Sequence, residues 1–187
     1  MADRTIFILG ASRGIGLGLV KEFLARGWQV VASERSRSDA LHALESEALR
    51  IVSCDVTRPD SYADFGFEDG QFDALVINAG ISGGRHQSLQ AGGVEVRGIT
   101  GARHQDAMQA TADEVADVMV TNAFGPARAA RTLLPALRDG GTLAVMSSLM
   151  GSISDSSGGY DLYRTSKVAL NMLAKGVAEQ HAAARGI

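Results

Sequence analysis

The stretch Gly10-Ala-Ser-Arg-Gly14-Ile-Gly16 constrains this chain most, because of what stands on either side of it. Before it, Thr5–Leu9 (TIFIL) is a short continuous apolar run, the pattern of a strand buried on both faces. After it, apolar residues recur at helical spacing over 15–24, at Ile15, Leu19, Val20, Phe23 and Leu24, and Gly27 supplies a C-terminal stop. Glycines between a buried strand and a helix allow a tight turn and a close approach of backbone to a ligand. The helix N-terminus adds free N–H groups and the positive end of its dipole, which together suit a pyrophosphate. The spacing is G-x-x-x-G-x-G rather than G-x-G-x-x-G, and a plain glycine turn is the competing reading.

The rest of the chain favours the ligand. A second strand is predicted over 28–32, a short amphipathic helix over 39–47 and a third strand at Leu49–Ser53. A turn at Pro59 and a weak helix lead to a fourth strand over 72–78. Helical periodicity then runs over 111–137, interrupted at Gly125 and Pro126, before a fifth strand over 142–147 and an alanine-rich helix over 160–185. Strands alternating with helices imply parallel pairing through right-handed crossovers, hence a doubly wound parallel α/β sheet in one domain over 1–187. Polar or glycine residues end the later strands: Asp55-Val56, Asn78-Ala79-Gly80 and Ser147-Ser148. The carboxyl ends of the strands are where open parallel sheets bind ligands.

Composition excludes several classes. With 18 Lys+Arg against 21 Asp+Glu the net charge is −3, which offers no basic field to nucleic acid. The longest apolar runs are strand-length, so neither a membrane span nor a signal peptide is expected. Cys54 is the single cysteine, which excludes an internal disulfide and points to a reducing, cytoplasmic setting. One feature is abnormal: GISGGRHQ over 80–87 recurs as GITGARHQ over 98–105. This duplication, about 80–115 in extent, is too short for a solenoid and reads as a tolerated surface insertion rather than a lid. His86 and His104 lack metal-ligand company, so no metal is expected.

Tyr163 and Lys167 stand four residues apart on the last predicted helix and so share a face. A free phenol ionises near pH 10, and a neighbouring ammonium favours the phenolate. Such a phenol exchanges a proton with a substrate alcohol or carbonyl while hydride moves to or from a nicotinamide. Ser148 is placed to hydrogen-bond the substrate oxygen. Tyr160 is a rival to Tyr163, but four residues beyond it lies Arg164 instead of a lysine.

Taken together, GASRGIG, INAG at 77–80, SSLMG at 147–151 and YRTSK at 163–167 resemble, in order, the motifs of the short-chain dehydrogenase/reductase family, its C-factor-like branch above all. The resemblance implies a Rossmann-type sheet, a nicotinamide cofactor and alcohol/carbonyl chemistry on a small substrate. It assigns catalysis to Ser148, Tyr163, Lys167 and Asn122, the last (in TNAFGP) matching an asparagine whose distorted helix helps hold a proton-relay water. It assigns cofactor binding to Gly10, Ser12, Arg13, Gly14, Ile15 and Gly16, to Arg35, to Asp55 and Val56 beside adenine, and to Asn78, Ala79 and Gly80, with Tyr163 and Lys167. At the end of the second strand Glu34 argues for NAD(H), whereas Arg35 with Arg13 argues for a 2′-phosphate, and NADP(H) is favoured. The family continues past its Tyr-Lys helix into further strands, so the expectation is a C-terminally incomplete sheet whose fifth strand is an edge. Long helices over 111–137 and 160–185 resemble those that pair subunits, so a homo-oligomer is expected. A nucleotide-binding regulatory protein and an inactive fragment are the competing readings.

Overall fold

The computed structural model describes residues 4–63, 65–82, 89–91, 94–96 and 107–187. Five parallel strands form one sheet in the order β3-β2-β1-β4-β7: β1 Thr5–Leu9, β2 Gln29–Glu34, β3 Leu49–Ser53, β4 Phe72–Ile77 and β7 Leu137–Val145. The order reverses between β1 and β4, which opens a crevice at their carboxyl ends. This is the Rossmann-like, doubly wound sheet expected from the alternating pattern, and β7 stands at its edge.

The continuous apolar runs have the anticipated cause, burial of both faces. Phe7 and Leu9 of β1 point into one core with Phe72, Leu75, Ile77 and, from α5 (Gly125–Leu133), Ala129, Ala130 and Leu133. Ile6 and Ile8 point the other way, with Val30, Ala32, Ala74, Val76, Val20 of α1 (Gly14–Ala25) and Leu41 of α2 (Asp39–His42). Alternation along each strand therefore feeds two cores, and polar groups gather at the strand ends.

Several boundaries differ from expectation. The helix expected over 39–47 stops at His42, and the chain turns through Glu45 at a φ of +35°. A short helix, α3, does follow Pro59, at Asp60–Ala63. The interruption expected at Gly125 and Pro126 takes the form of a change of helix type, and the helix does not end there. Instead α4 (Ala112–Met119), opened by a Thr111/Glu114 capping box, widens into a π turn at Val120–Phe124 and continues as α5 and a 3₁₀ turn at Leu134–Ala136. The α-helical donor for the carbonyl of Asn122 would be the N–H of residue 126, and proline has none, so the wider turn falls where the ladder is already broken. Strand β7 begins earlier than residue 142, because Leu137 pairs with Phe72 before a register shift restores pairing at Ala74–Thr142. The last helix, α6 (Asp161–Val177), runs on through a π turn at Ala178–Ala182 and a 3₁₀ turn at Ala183–Arg185, matching the predicted extent.

A two-stranded antiparallel pair, β5 (Leu89–Ala91) with β6 (Val94–Val96), falls within the duplicated region and was not anticipated. His86, His104 and most of the two repeats lie outside the described residues. Among the described residues there is no cluster fit for a metal ion, and no helix is long and apolar enough to cross a membrane.

Candidate functional site

The glycine loop leaves β1 at Gly10, whose φ of +89° is a left-handed conformation. A Cβ there would lie 2.7 Å from the Ala79 nitrogen, so only glycine lets the ends of β1 and β4 approach so closely. Gly16 is equally confined, between the Gly10 carbonyl and the Asn78 amide. The loop is tied on both sides. Ser33, 1% exposed, accepts from the Gly10 N–H at 2.9 Å, and Asn78 Nδ2 donates to the Gly10 carbonyl at 2.7 Å. Ser38 Oγ donates to the Ser12 carbonyl at 2.6 Å. Helix α1 starts after Arg13 with no side-chain cap and no acidic residue in its first turn, and Arg13, Gly14 and Ile15 are exposed. Its N-terminal N–H groups and dipole thus face outward, as an anion site requires.

Glu34 and Arg35 follow at the end of β2. Arg35 is exposed, while both Glu34 oxygens are engaged: Oε2 accepts from the Ser38 N–H at 2.7 Å and Oε1 lies 2.8 Å from His42 Nε2. Partial burial works to raise the Glu34 pKa, but the His42 and Ser38 hydrogen bonds and the charges of His42 and Arg37 outweigh it and hold the carboxyl below the usual range. At the end of β3, Asp55 Oδ1 accepts from the Thr57 N–H and hydroxyl at 2.9 and 2.7 Å. Val56 is buried in the core cluster with Phe7, so its position offers a ligand backbone rather than side chain.

At β4 and beyond, the motifs converge. Gly80 lies close enough to Asn122 Oδ1 and Lys167 Nζ that a Cβ would stand 3.3 and 3.5 Å from them. Asn122, fully buried in the π turn, grips Ile81 in both directions: Oδ1 accepts from its N–H and Nδ2 donates to its carbonyl, each at 2.7 Å. Nδ2 also donates to Ser166 Oγ at 3.0 Å, and Ser166 donates to the Tyr163 carbonyl at 2.7 Å. Lys167 is 4% exposed; burial lowers its pKa, and its Nζ donates to the Met146 carbonyl at 3.0 Å while lying 5.7 Å from the centre of the Tyr163 ring. Of the two serines after β7, Ser147 donates to Asn171 Oδ1 at 2.5 Å, whereas Ser148 accepts from the Met150 N–H at 3.2 Å and keeps its proton to donate. Gly151 follows because a Cβ would come within 3.0 Å of Lys167 and Asn171.

Asn122 and Lys167 thus meet beside Gly80 and Lys167 lies over the Tyr163 ring, with the Ser148 turn packed on the same helix and the glycine loop alongside through Asn78. Tyr160 does not share their helix; it precedes α6 in a left-handed conformation at φ +58° and is half exposed. Four supporting residues escaped the sequence: Ser33, Ser38, Ser166 and Asn171. Each is a small polar side chain holding backbone or a neighbouring motif across the fold, and only Ser166, between Tyr163 and Lys167, stood inside a motif.

A family model described as short chain dehydrogenase matches residues 4–187. The cyclic-di-GMP-binding biofilm dispersal mediator protein of Escherichia coli K12 is 29% identical, over 94% of this chain and 65% of its own length. The (+)-neomenthol dehydrogenase of Arabidopsis thaliana is 27% identical, over 83% and 58%. The chain therefore spans less than two thirds of either relative. Among solved structures, a carbonyl reductase from Pseudomonas aeruginosa PAO1 in complex with NADP superposes with a TM-score of 0.80 at 35% identity, covering 96% of this chain and 74% of that one.

Proposed function

Since the chain belongs to the short-chain dehydrogenase family, we propose that it interconverts a small carbonyl compound and its alcohol with NADP(H), Tyr163 carrying the proton. The observation that carries this reading is the buried Lys167 ammonium. Among the described residues it has one hydrogen-bond acceptor, the Met146 carbonyl, and it stands between Gly80, Asn122 and the Tyr163 ring. A charge so far from water, with donors to spare, suits a cofactor ribose and a developing phenolate. The glycine cradle and the uncapped start of α1 suit a pyrophosphate, with Arg13 and Arg35 exposed beside them for a 2′-phosphate. Asn78-Ala79-Gly80 follows β4 at that crevice and Asp55 follows β3, and both belong to the proposed cofactor site.

When bound, the nicotinamide exchanges hydride with the substrate carbon. In the reducing direction Tyr163 donates its phenolic proton to the carbonyl oxygen as the carbon gains hydride, which completes the alcohol. Lys167 stabilises the phenolate left behind. Ser148 donates to the substrate oxygen and fixes its orientation. Asn122 holds the π turn against Ile81, and a proton-relay water beside it would reprotonate the site.

The experiment is Tyr163→Phe, assayed with NADPH and a panel of carbonyl compounds. Turnover falls by at least about 100-fold, the scale of a lost general acid, while the dissociation constant for NADPH stays within twofold. Unchanged turnover overturns the assignment, and tighter binding of NADH than of NADPH overturns the cofactor choice. A nucleotide-binding regulator is the second reading, favoured by the likeness to the biofilm dispersal mediator. Tight NADPH binding by the wild-type chain with no turnover of any carbonyl selects it. Pairing of α4, α5 and α6 with a second copy is part of the proposal, with Phe124 half exposed and Met172 largely exposed.

A further inference from the structure

An acid at the end of β2 ordinarily selects NAD(H), because it hydrogen-bonds the ribose 2′-OH and repels a 2′-phosphate. Glu34 occupies that position, yet its carboxylate is spent elsewhere: one oxygen on the Ser38 N–H, the other on His42. We propose that His42 is a specificity-determining positioning residue, which holds Glu34 away from the ribose and so leaves the exposed arginines to receive a 2′-phosphate. The proposal deepens the cofactor reading above and rests on it.

The arrangement orients the imidazole. Arg37 Nη1 lies 3.2 Å from His42 Nδ1, and a guanidinium can only donate. Nε2 faces Glu34 on the other side of the ring, and its N–H donates to the carboxylate at 2.8 Å. Around the ring stand Glu34 at the end of β2, Arg37 in the connection, and Asp39 at the start of α2, whose Oδ1 lies 3.5 Å from Arg37 Nε. The carboxylate is only 12% exposed on its side chain, and its lowered pKa accords with a charge satisfied within this group. The same connection is bound to the glycine loop through Ser38 Oγ and the Ser12 carbonyl. Without His42 the carboxylate keeps only the Ser38 N–H, and its other oxygen, beside the cofactor loop, would be open to a ribose hydroxyl. Position 42 lies outside the glycine loop and outside β2, where selectivity is ordinarily read from sequence.

The test is a cycle of four proteins, wild type, His42→Ala, Glu34→Ala and the double variant, titrated separately with NADPH and NADH by nicotinamide fluorescence. Wild type is expected to prefer NADPH, and His42→Ala to narrow that preference at least tenfold, chiefly through tighter NADH binding. Adding Glu34→Ala should cancel the gain, because it runs through the freed carboxylate; a general loosening of α2 would survive that addition. His42→Gln, which keeps an N–H donor, should retain the wild-type ratio. Glu34→Ala alone should leave NADH binding undiminished and keeps the idea testable if His42→Ala fails to fold. An unmoved ratio in folded His42→Ala, a gain that persists in the double variant, or weaker NADH binding in Glu34→Ala overturns the role of His42 alone. A wild type that prefers NADH overturns this role and the NADP(H) reading together.

Discussion

Lys167 sits where an ammonium is costly to keep, 4% exposed and with its pKa lowered by burial. Because the folded value lies below the unfolded one, the charged form opposes folding at neutral pH, and stability rises as pH climbs through the window below the ordinary lysine value. Lys167→Met should therefore raise the free energy of unfolding at pH 7 by about 1 kcal/mol while abolishing turnover and weakening NADPH binding. Denaturant melts alongside cofactor titrations check both halves, and a destabilised variant would refute the account of the buried charge. Its separation from Tyr163 was legible as a shared helix face. The grip of Asn122 on Ile81 and of His42 on Glu34 was not, because each joins residues whose meeting depends on the tertiary fold rather than on spacing.

The π turn Val120–Phe124 does at the level of an element what these contacts do singly: it presents Asn122 to the chain leaving β4. Its geometry depends on Gly125, where a Cβ would lie 2.5 Å from the Val56 carbonyl oxygen and 2.6 Å from that of Val120. Gly125→Ala should destabilise the fold by about 1–3 kcal/mol, the range for forcing an atom into packed surroundings, and lower turnover as Asn122 shifts. Gly176→Ala, in α6 with nothing within 4 Å of the added carbon, should instead stabilise by about 0.5–1 kcal/mol. Thermal melts of the pair distinguish steric need from helix propensity. Weighing local propensity alone marks an interruption at Gly125 and Pro126, where the helix changes type but runs on. The same weighting extended α2 to residue 47 and missed the start of β7, whose pairing at Leu137 lies on the far side of a glycine turn. It succeeded for β1, where burial on both faces leaves an unbroken apolar run.

Across the whole molecule, the sheet separates two cores and its carboxyl edge collects the candidate site, so folding and the proposed ligand binding share one scaffold. Phe7 is central to one core, with Phe65, Phe67 and Phe72 at ring distances of 5.7, 5.3 and 5.9 Å. Phe7→Ala should cost about 3–5 kcal/mol, and NADPH at 100 times its dissociation constant should return about 2.7 kcal/mol of that. Melting with and without cofactor measures both, and a cofactor that leaves the melt unmoved would count against binding to the folded state. The two fastenings described at either end of the duplicated region, Asn122 on Ile81 and the capping box at Thr111, have a consequence for how such a gene can change. Each doubling of a connection's length costs only about 0.6 kcal/mol of closure entropy once its ends are pinned. Between those two pins, copying errors can lengthen the reading frame and survive selection, because neither the strand end nor the helix start has to move to make room.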